Sequence, residues 1–488
     1  MITAPGNPSR KSAANIVRRL QTAGFSAFWV GGCVRDFLLG REPQDYDIAT
    51  NARPEQVVKL FKRTRAVGRK FGVMIVVEAK QQFQVATFRA EAGYRDGRRP
   101  TKVVFSSAQA DAQRRDFTVN GLFYDPVAKQ LHDWVSGEKD LRAKIIRTIG
   151  PPEERFAEDH LRLLRAVRFA VQLNFEIEPQ TFAAVKMLAA KIKLISAERI
   201  RDELIRLFAP PQLDRGAHPP RVRSNAPRVG HVPEPASEAL AGTRQARVLP
   251  IYSPAARGLV LLRDSGLLEQ ILPELAATVA CEQSPDFHPE GTVFEHIRLM
   301  LEKMPPNAPA SLPWAVILHD IAKPVTAERD ATTGTIHFYE HEKIGAAMAE
   351  KILNRLRFPK KQITEIVACV RQHMQFKDVK QMCKATLRRL LMRETFPLEL
   401  ELHRLDCLGS HGDLELYDFL VTQAAELKKK PAIRPPLLTG KDLIKLGMQP
   451  GPAMGALLNE IREKQLQDEL KTPAQARNWA KIRIKRSD

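Results

Sequence analysis

Asp45 and Asp47 stand one residue apart in the tripeptide Asp45-Tyr46-Asp47. If the stretch Asp45 to Ala49 is extended, the two-residue period of a strand turns both carboxylates to one face. Two converging hard oxygen ligands suit Mg²⁺, which takes one or two carboxylates and completes its shell with water and phosphate oxygens. Two such ions about 3.5 to 4 Å apart can activate an attacking hydroxyl and stabilise a departing pyrophosphate. An isolated Asp-x-Asp is more often an exposed acidic turn, so the neighbourhood decides. Upstream, Gly31-Gly32 separates the apolar run Ala27 to Val30 from a helical segment. Backbone N–H groups and a helix N-terminus there can hold a triphosphate. Downstream, Arg114-Arg115-Asp116-Phe117-Thr118-Val119-Asn120 offers two guanidiniums for phosphate oxygens, a carboxylate for a metal or a ribose hydroxyl, and an amide.

A third group is Glu158-Asp159-His160-Leu161-Arg162-Leu163-Leu164-Arg165. On one helix, Asp159 and Arg162 are neighbours three residues apart, with small Ala166 leaving room beside them. A carboxylate accepts from an exocyclic amine and a guanidinium donates to a ring nitrogen, the pattern shared by cytosine and adenine. Such a pair would choose CTP and ATP without a template. The plainer alternative is a surface ion pair of little energetic weight. Arg165 and Arg168 lie on an adjacent stripe, either touching phosphate or solvated, and the segment Ile195 to Leu207 is given a structural role.

A fourth group comprises Phe294-Glu295-His296, Leu318-His319-Asp320-Ile321-Ala322-Lys323-Pro324, His341, His373 and Asp406. A lone histidine is usually a satisfied core or surface residue, but His…His-Asp…Asp is an order that builds metal sites. Imidazole suits transition metals such as Mn²⁺, Ni²⁺ or Zn²⁺, and carboxylates bridging two ions can generate a hydroxide for phosphoester hydrolysis.

The elements that must carry these groups follow from hydrophobic periodicity. A helix over Ala13 to Ala23, the strand Ala27 to Val30, the glycine turn and a second helix lead into strands at Val73 to Val77, Phe83 to Phe88 and Val103 to Phe105, an α/β head over 1–150. Helical spacing of Leu161, Leu164, Val167 and Val171 opens a helical neck over 151–209. Residues 210–254, with Pro210, Pro211, Pro219, Pro220, Pro227, Pro233 and Pro235 among Arg, Gly and Ser, read as a disordered insertion. A helical domain spans 255–426, and 427–488 form a linker and a small helical tail.

The 488 residues rule out a single small domain, while 44% hydrophobic and 27% charged residues rule out wholesale disorder. A net charge of +20 favours a polyanionic partner and salt-dependent binding. Cys33, Cys281, Cys369, Cys383 and Cys407 are odd in number and scattered, which argues against a disulfide framework or a zinc knuckle and for a reducing compartment. The first residues lack the apolar core of a signal peptide and no run approaches a bilayer span, so a cytoplasmic protein without a membrane partner is expected.

The stretches Val30-Gly31-Gly32-Cys33-Val34-Arg35-Asp36, Asp45-Tyr46-Asp47, Arg114 to Asn120 and Glu158 to Arg165, in this order over most of the first 210 residues, resemble the class II tRNA nucleotidyltransferase and bacterial poly(A) polymerase family. The resemblance implies an α+β fold, with a polymerase-beta-like nucleotidyltransferase head followed by mostly α-helical neck, body and tail. It implies catalytic roles for Asp45, Asp47 and Asp116, with Mg²⁺ at Asp45 and Asp47. It further implies nucleotide contacts from Gly31, Gly32, Arg35, Arg115, Asn120, Asp159, Arg162, Arg165 and Arg168. The expected substrates are CTP, ATP and a tRNA 3′ end. Gly68 to Met74 lacks the basic, histidine-containing form of bacterial poly(A) polymerases, and Tyr94 to Pro100 resembles the loop that takes part in switching from C to A, so CCA addition is expected. A CC-adding or A-adding half enzyme and a poly(A) polymerase remain the alternatives.

The histidine and aspartate group resembles the HD phosphohydrolase superfamily. His296, His319, Asp320 and Asp406 match its metal positions, with His341 and His373 available for a second metal or for phosphate, and Mn²⁺, Ni²⁺ or another transition metal is implied. Such a domain could trim phosphates from damaged RNA 3′ ends before nucleotide addition. The competing readings are an HD enzyme whose head only docks RNA, and an RNA-binding protein without catalysis. Thr439 to Pro452 resembles the tail of HD-bearing nucleotidyltransferases. The sequence sets no oligomeric state.

Overall fold

The computed structural model describes residues 8–68, 72–95, 99–209, 223–224, 253–284, 288–429 and 436–485. Two units divide the chain: 1–276 with 305–307, and 277–304 with 308–488. The fold is α+β, as expected.

In the first unit, β1 (Ala27–Val30), β2 (Ile48–Thr50), β3 (Thr64–Gly68), β4 (Val73–Glu78) and β5 (Gln81–Thr87) are followed by a separate hairpin of β6 (Arg89–Arg95) and β7 (Arg99–Phe105), then β8 (Phe123–Asp125) and β9 (Gln130–His132). The main sheet runs β9-β8-β1-β2-β5-β4-β3. β1 pairs antiparallel with β2 (Trp29 opposite Ile48) and with β8 (Val30 opposite Phe123), which puts it mid-sheet. That position explains its apolar composition, with Ala27, Trp29 and Val30 all buried. Most of 210–254, including its expected disorder, lies outside the described residues. Arg223–Ser224 within it form a short parallel strand on β9. Residues 69–71 and 96–98, in the two segments that bear on the CCA expectation, also lie outside them.

An aromatic cluster anchors the site-bearing segments. The Trp29 ring lies 4.7 Å from Tyr46 and 6.0 Å from Phe37, and Tyr124 lies 5.0 Å from Phe37. These rings pin the helix Gly32–Leu38 and the Asp45-Tyr46-Asp47 segment to the centre of the sheet.

The neck is built on the helix Leu161–Leu173, buried along most of its length, which stops at Asn174 in a left-handed cap (φ 55°). Arg257, from the helix Pro254–Asp264, donates to the carbonyls of Ala170 (3.1 Å) and Phe175 (2.7 Å) and to the Asn174 side chain (3.0 Å). In the same helix, a Cβ on Gly258 would lie 2.9 Å from Leu207, so glycine permits this close crossing. Residues 255–276, expected in the body, therefore pack with the neck.

Arg168 and Glu203 form an ion pair with both side chains 5% exposed, and the Arg168 guanidinium also lies 3.9 Å from the Phe169 ring centroid. Arg168 was expected at a nucleotide. Its place on the apolar stripe and its bonds to Glu203 and to Gln172 (2.7 Å) make it a core residue instead.

The second unit contains the helices Val293–Glu302, Leu312–Leu318, His341–Arg355, Lys360–Gln372 and Phe396–Gly409. Every residue of Leu312–Leu318 is buried. The tail helices Gly440–Lys445, Pro452–Leu466 and Pro473–Lys485 share a core of Leu443, Met454, Leu457, Ile461, Ala476 and Ala480. Arg388 ties them to this unit through a bidentate pair with Asp468 (3.0 Å for each bond). Among the described residues, no helix is long and apolar enough to cross a membrane.

Removing one partner of a buried pair strands the other charge. Glu203→Ala is expected to cost about 3–5 kcal/mol, seen as a lowered urea midpoint for the first unit, and the apolar double replacement R168M/E203L to recover most of it. An unchanged midpoint in Glu203→Ala contradicts this placement.

Candidate active sites

β1 delivers the chain to Gly31, whose φ of 74° favours glycine. A Cβ there would lie 2.7 Å from Arg115 Nη1, so the missing side chain also admits that guanidinium. Asp45 and Asp47 are exposed on either side of Tyr46, which is 2% exposed, so both carboxylates leave the same face. Asp47 precedes β2 and its carbonyl accepts from Val30 N (3.0 Å), locking the acidic segment to the end of β1. Asp47, Val73, Gln84, Arg114 and Arg115 are among the residues lining a cleft of about 210 Å³. Loss of water in the cleft pushes the Asp47 carboxyl above its ordinary value; Arg115 opposes the shift and Asp45 adds to it. Paired exposed carboxylates beside two guanidiniums fit a divalent cation carrying a phosphate chain.

The arginines are positioned by Asp111, a residue the sequence reading passed over. Buried at 1% exposure, it accepts from Arg114 Nη2 (2.7 Å) and Arg115 Nη2 (3.2 Å). The signal was present as an acid three and four residues ahead of two arginines at the end of a helix.

A polar chain then links three of the sequence motifs. Arg35 donates to Asp36 (2.8 Å) and to Asn120 Oδ1 (2.7 Å), and Asn120 donates to Asp116 Oδ1 (3.1 Å). Asp116 Oδ1 also accepts from the Phe117 amide (2.8 Å), and Oδ2 accepts from Arg165 Nε (2.9 Å). Burial would raise the Asp116 carboxyl, but the charge and hydrogen bonds of Arg165, with Arg162 and Asn120, hold it well below the usual range. With both oxygens engaged, Asp116 organises Asn120 and Arg165; the exposed acids are Asp45 and Asp47. Gly32 opens the helix that carries Arg35.

The expected helical pair of Asp159 and Arg162 is corrected. Asp159 (φ −150°, ψ 104°) lies in the break between the helices Pro152–Glu158 and Leu161–Leu173. It accepts from the Leu161 amide (3.1 Å) and from both Arg199 terminal nitrogens (2.7 and 3.2 Å). Arg162 pairs with Glu158 and donates to the carbonyls of Arg155 (2.8 Å) and Arg114 (3.3 Å). The two remain adjacent through Arg162 N to the Asp159 carbonyl (2.9 Å), each held by a separate partner.

In the second unit, the histidines and aspartates converge. His296 Nε2 lies 3.0 Å from Asp406 Oδ1, and His319 Nε2 3.1 Å from Asp320 Oδ2. His341 Nε2 and His373 Nε2 lie 3.4 and 3.7 Å from Asp320 Oδ1. Three histidines turn Nδ1 to a carbonyl: His319 to Val316 (2.8 Å), His341 to Phe338 (2.8 Å) and His373 to Val370 (2.7 Å). A carbonyl only accepts, so Nδ1 carries the proton and Nε2 keeps its lone pair. The buried Nε2 atoms of His296 and His319 face carboxylate oxygens at these distances, as fits groups able to share a cation. Burial lowers His373 to about 4, which keeps it neutral near pH 7. Burial would raise Asp320 and Asp406, but the neighbouring His319 and Lys323, and His296, respectively, hold them far below the carboxylate range. His296, His319 and Asp320 can hold one ion, and Asp320, His341 and His373 another. Lys323, also unassigned from sequence, donates to Asp320 Oδ2 (2.7 Å) and Gln283 Oε1 (2.6 Å).

Three regions match described families: the poly(A) polymerase head domain over 27–147, a probable RNA- and SrmB-binding site of polymerase A over 174–218, and the HD domain over 291–408. A CCA-adding enzyme of Staphylococcus aureus (strain Newman) is 44% identical over 199 residues, covering 41% of this chain and 50% of that protein. One of Enterococcus faecalis is 44% identical over 199 residues, covering 41% of this chain and 49% of that protein. The chain thus spans about half the length of the curated relatives it matches. Among solved structures, the Bacillus stearothermophilus CCA-adding enzyme in complex with CTP shares the fold with a TM-score of 0.66 and 24% identity, over 99% of both chains. The Thermotoga maritima CCA-adding enzyme complexed with tRNA gives 0.56 and 15% identity over 98% of this chain and 96% of that one. These matches follow the order of the motifs: the chain carries a poly(A) polymerase head domain, an RNA-binding region of the same kind and an HD domain, and it shares the fold of CCA-adding enzymes.

Proposed function

We propose that the chain adds CCA to the 3′ end of tRNA from CTP and ATP, by two-metal nucleotidyl transfer in the head. The carrying observation is the shared face of Asp45 and Asp47 beside the Gly31 loop and Arg115, in a chain 44% identical to a CCA-adding enzyme over 199 residues. Asp45 and Asp47 would hold Mg²⁺, which supplies charge neutralisation of the triphosphate and acidifies the attacking 3′-hydroxyl. Arg115, set by Asp111, faces the phosphates, and the backbone at Gly31 and Gly32 leaves them room. Asp159 and Arg162 present an acceptor and a donor to the Watson–Crick edge of the incoming base, and their outside partners Arg199 and Glu158 fix that edge without a template. A net charge of +20 favours tRNA as the polyanion, and work on tRNA is consistent with a cytoplasmic location.

A second activity is favoured by the converged histidines and aspartates of the HD domain. There a divalent transition metal, with Mn²⁺ and Ni²⁺ the leading choices, would serve phosphoester hydrolysis at RNA 3′ ends, clearing phosphate before nucleotide addition.

The two readings separate by mutation. Asp45→Ala with Asp47→Ala is expected to reduce nucleotide incorporation at least about a thousandfold, and to leave hydrolysis of a 2′,3′-cyclic phosphate RNA end unchanged. Asp320→Asn should do the converse. Loss of incorporation in Asp320→Asn, with Asp45 and Asp47 intact, counts against the head as the polymerase. Arg162→Ala is expected to narrow the preference for CTP and ATP over UTP and GTP by about 10- to 100-fold in kcat/KM, measured in single-nucleotide competition.

A further inference from the structure

Four histidines present Nε2 to the HD centre, and His296 is oriented differently from the rest. His319 and His373 follow directly on the ends of the helices Leu312–Leu318 and Lys360–Gln372, and His341 begins His341–Arg355. At those termini the carbonyl three residues back is within reach of Nδ1. His296 is the fourth residue of Val293–Glu302, where the backbone carbonyls are committed to the helical ladder, so its Nδ1 needs an acceptor from outside. Glu290 supplies it. From the turn ahead of the helix, Glu290 Oε1 lies 2.6 Å from His296 Nδ1 and 2.9 Å from His288 Nδ1. The Glu290 side chain is 5% exposed and its Oε2 is buried without a hydrogen-bond partner. The His296 ring is braced on its other side by Gly409, where a Cβ would come within 3.4 Å of Cε1 and 2.8 Å of Met300 Cγ.

We propose that Glu290 is the positioning residue for His296 as a metal ligand. It fixes the tautomer that leaves the Nε2 lone pair toward Asp406 and His319, and its charge strengthens that nitrogen as a donor. The proposal rests on the metal-binding reading of the HD domain. His288 shares the same carboxylate oxygen and steadies it. A carboxylate behind one ligand and carbonyls behind three make the centre asymmetric, with its most basic imidazole on the His296 side.

The test is a Co²⁺ titration of the full chain after chelator treatment, in the Asp45→Ala, Asp47→Ala background so that only HD binding is read. Affinity comes from calorimetry and ligand geometry from the visible absorption of the bound ion. Glu290→Ala should weaken Co²⁺ binding about 10- to 100-fold, and Glu290→Gln, which keeps an acceptor but loses the charge, about tenfold, both with a shifted spectrum and unchanged stoichiometry. His296→Ala should lose the ion it helps hold. Unaltered affinity and spectrum in both Glu290 variants overturns the positioning role. A stoichiometry that drops by one ion in both Glu290→Gln and His288→Ala overturns it too, because those residues would then be direct ligands. If His296→Ala binds Co²⁺ as its parent does, the metal-binding reading itself falls and the positioning role with it. Glu290→Gln preserves side-chain shape, so its result stands even if Glu290→Ala folds poorly.

Discussion

The Asp116–Arg165 pair is the contact on which the head site depends. Asp116 comes from the segment after the hairpin and Arg165 from the first long helix of the neck, and their bond joins a buried carboxylate to a partly exposed guanidinium. From Asp116 the network runs through Asn120 to Arg35 and the Gly31 turn, and from Arg165 it continues to Glu203 (3.7 Å) and Arg168. Loss of Arg165 would leave the Asp116 charge buried without its main partner, which is costly. The network therefore sets the geometry of the glycine loop and of Asn120 together. The exposed acids are fixed independently, by Tyr46 packed against Trp29. Rigid organisers inside and solvated ligands outside are what metal-assisted phosphoryl chemistry asks of a site, since the ligands must exchange water while their spacing holds.

The HD centre solves the same problem with different groups. Its candidate ligands are buried, so their protonation states must be set by the protein. Backbone carbonyls fix three imidazoles and a carboxylate fixes the fourth. Lys323 against Asp320 offsets the charge of an acid that would otherwise be costly to bury. The all-buried helix Leu312–Leu318 carries His319 and Asp320 at its end, which places both candidate ligands with the precision of a packed core.

Much of this was legible in the sequence because the groups have local causes. Gly31 follows an apolar strand, Tyr46 alternates with two acids, and His319-Asp320 follows a run with no polar residue, so strand period, turn chemistry and helix burial were all visible. Arg168 was legible too, but misassigned: with Leu161, Leu164 and Val171 it falls on one stripe, and an arginine on an apolar stripe is buried and paired. The placement of Asp159 and Arg162 on one helix failed because apolar spacing runs through a break between two helices. Pro151-Pro152 starts a separate short helix that ends at Asp159, whose extended backbone breaks the run and whose side chain accepts from the Leu161 amide. Glu290 and Arg199 were not legible, since each reaches its partner through loop or interhelical geometry that no spacing encodes. The assignment of 255–276 to the body failed for a related reason: helical period identifies a helix but not the neighbour it packs on, and Arg257 with Gly258 decides that here.

The head is proposed to select C and then A with no template and to stop. The most direct measurement is incorporation of labelled CTP and ATP, with Mg²⁺, into three tRNA transcripts ending before CCA, after the first C, and after both Cs. The account predicts that each is extended to CCA and no further. Addition of A to the CC-ending transcript alone, long A tails, or no incorporation in any transcript would contradict it.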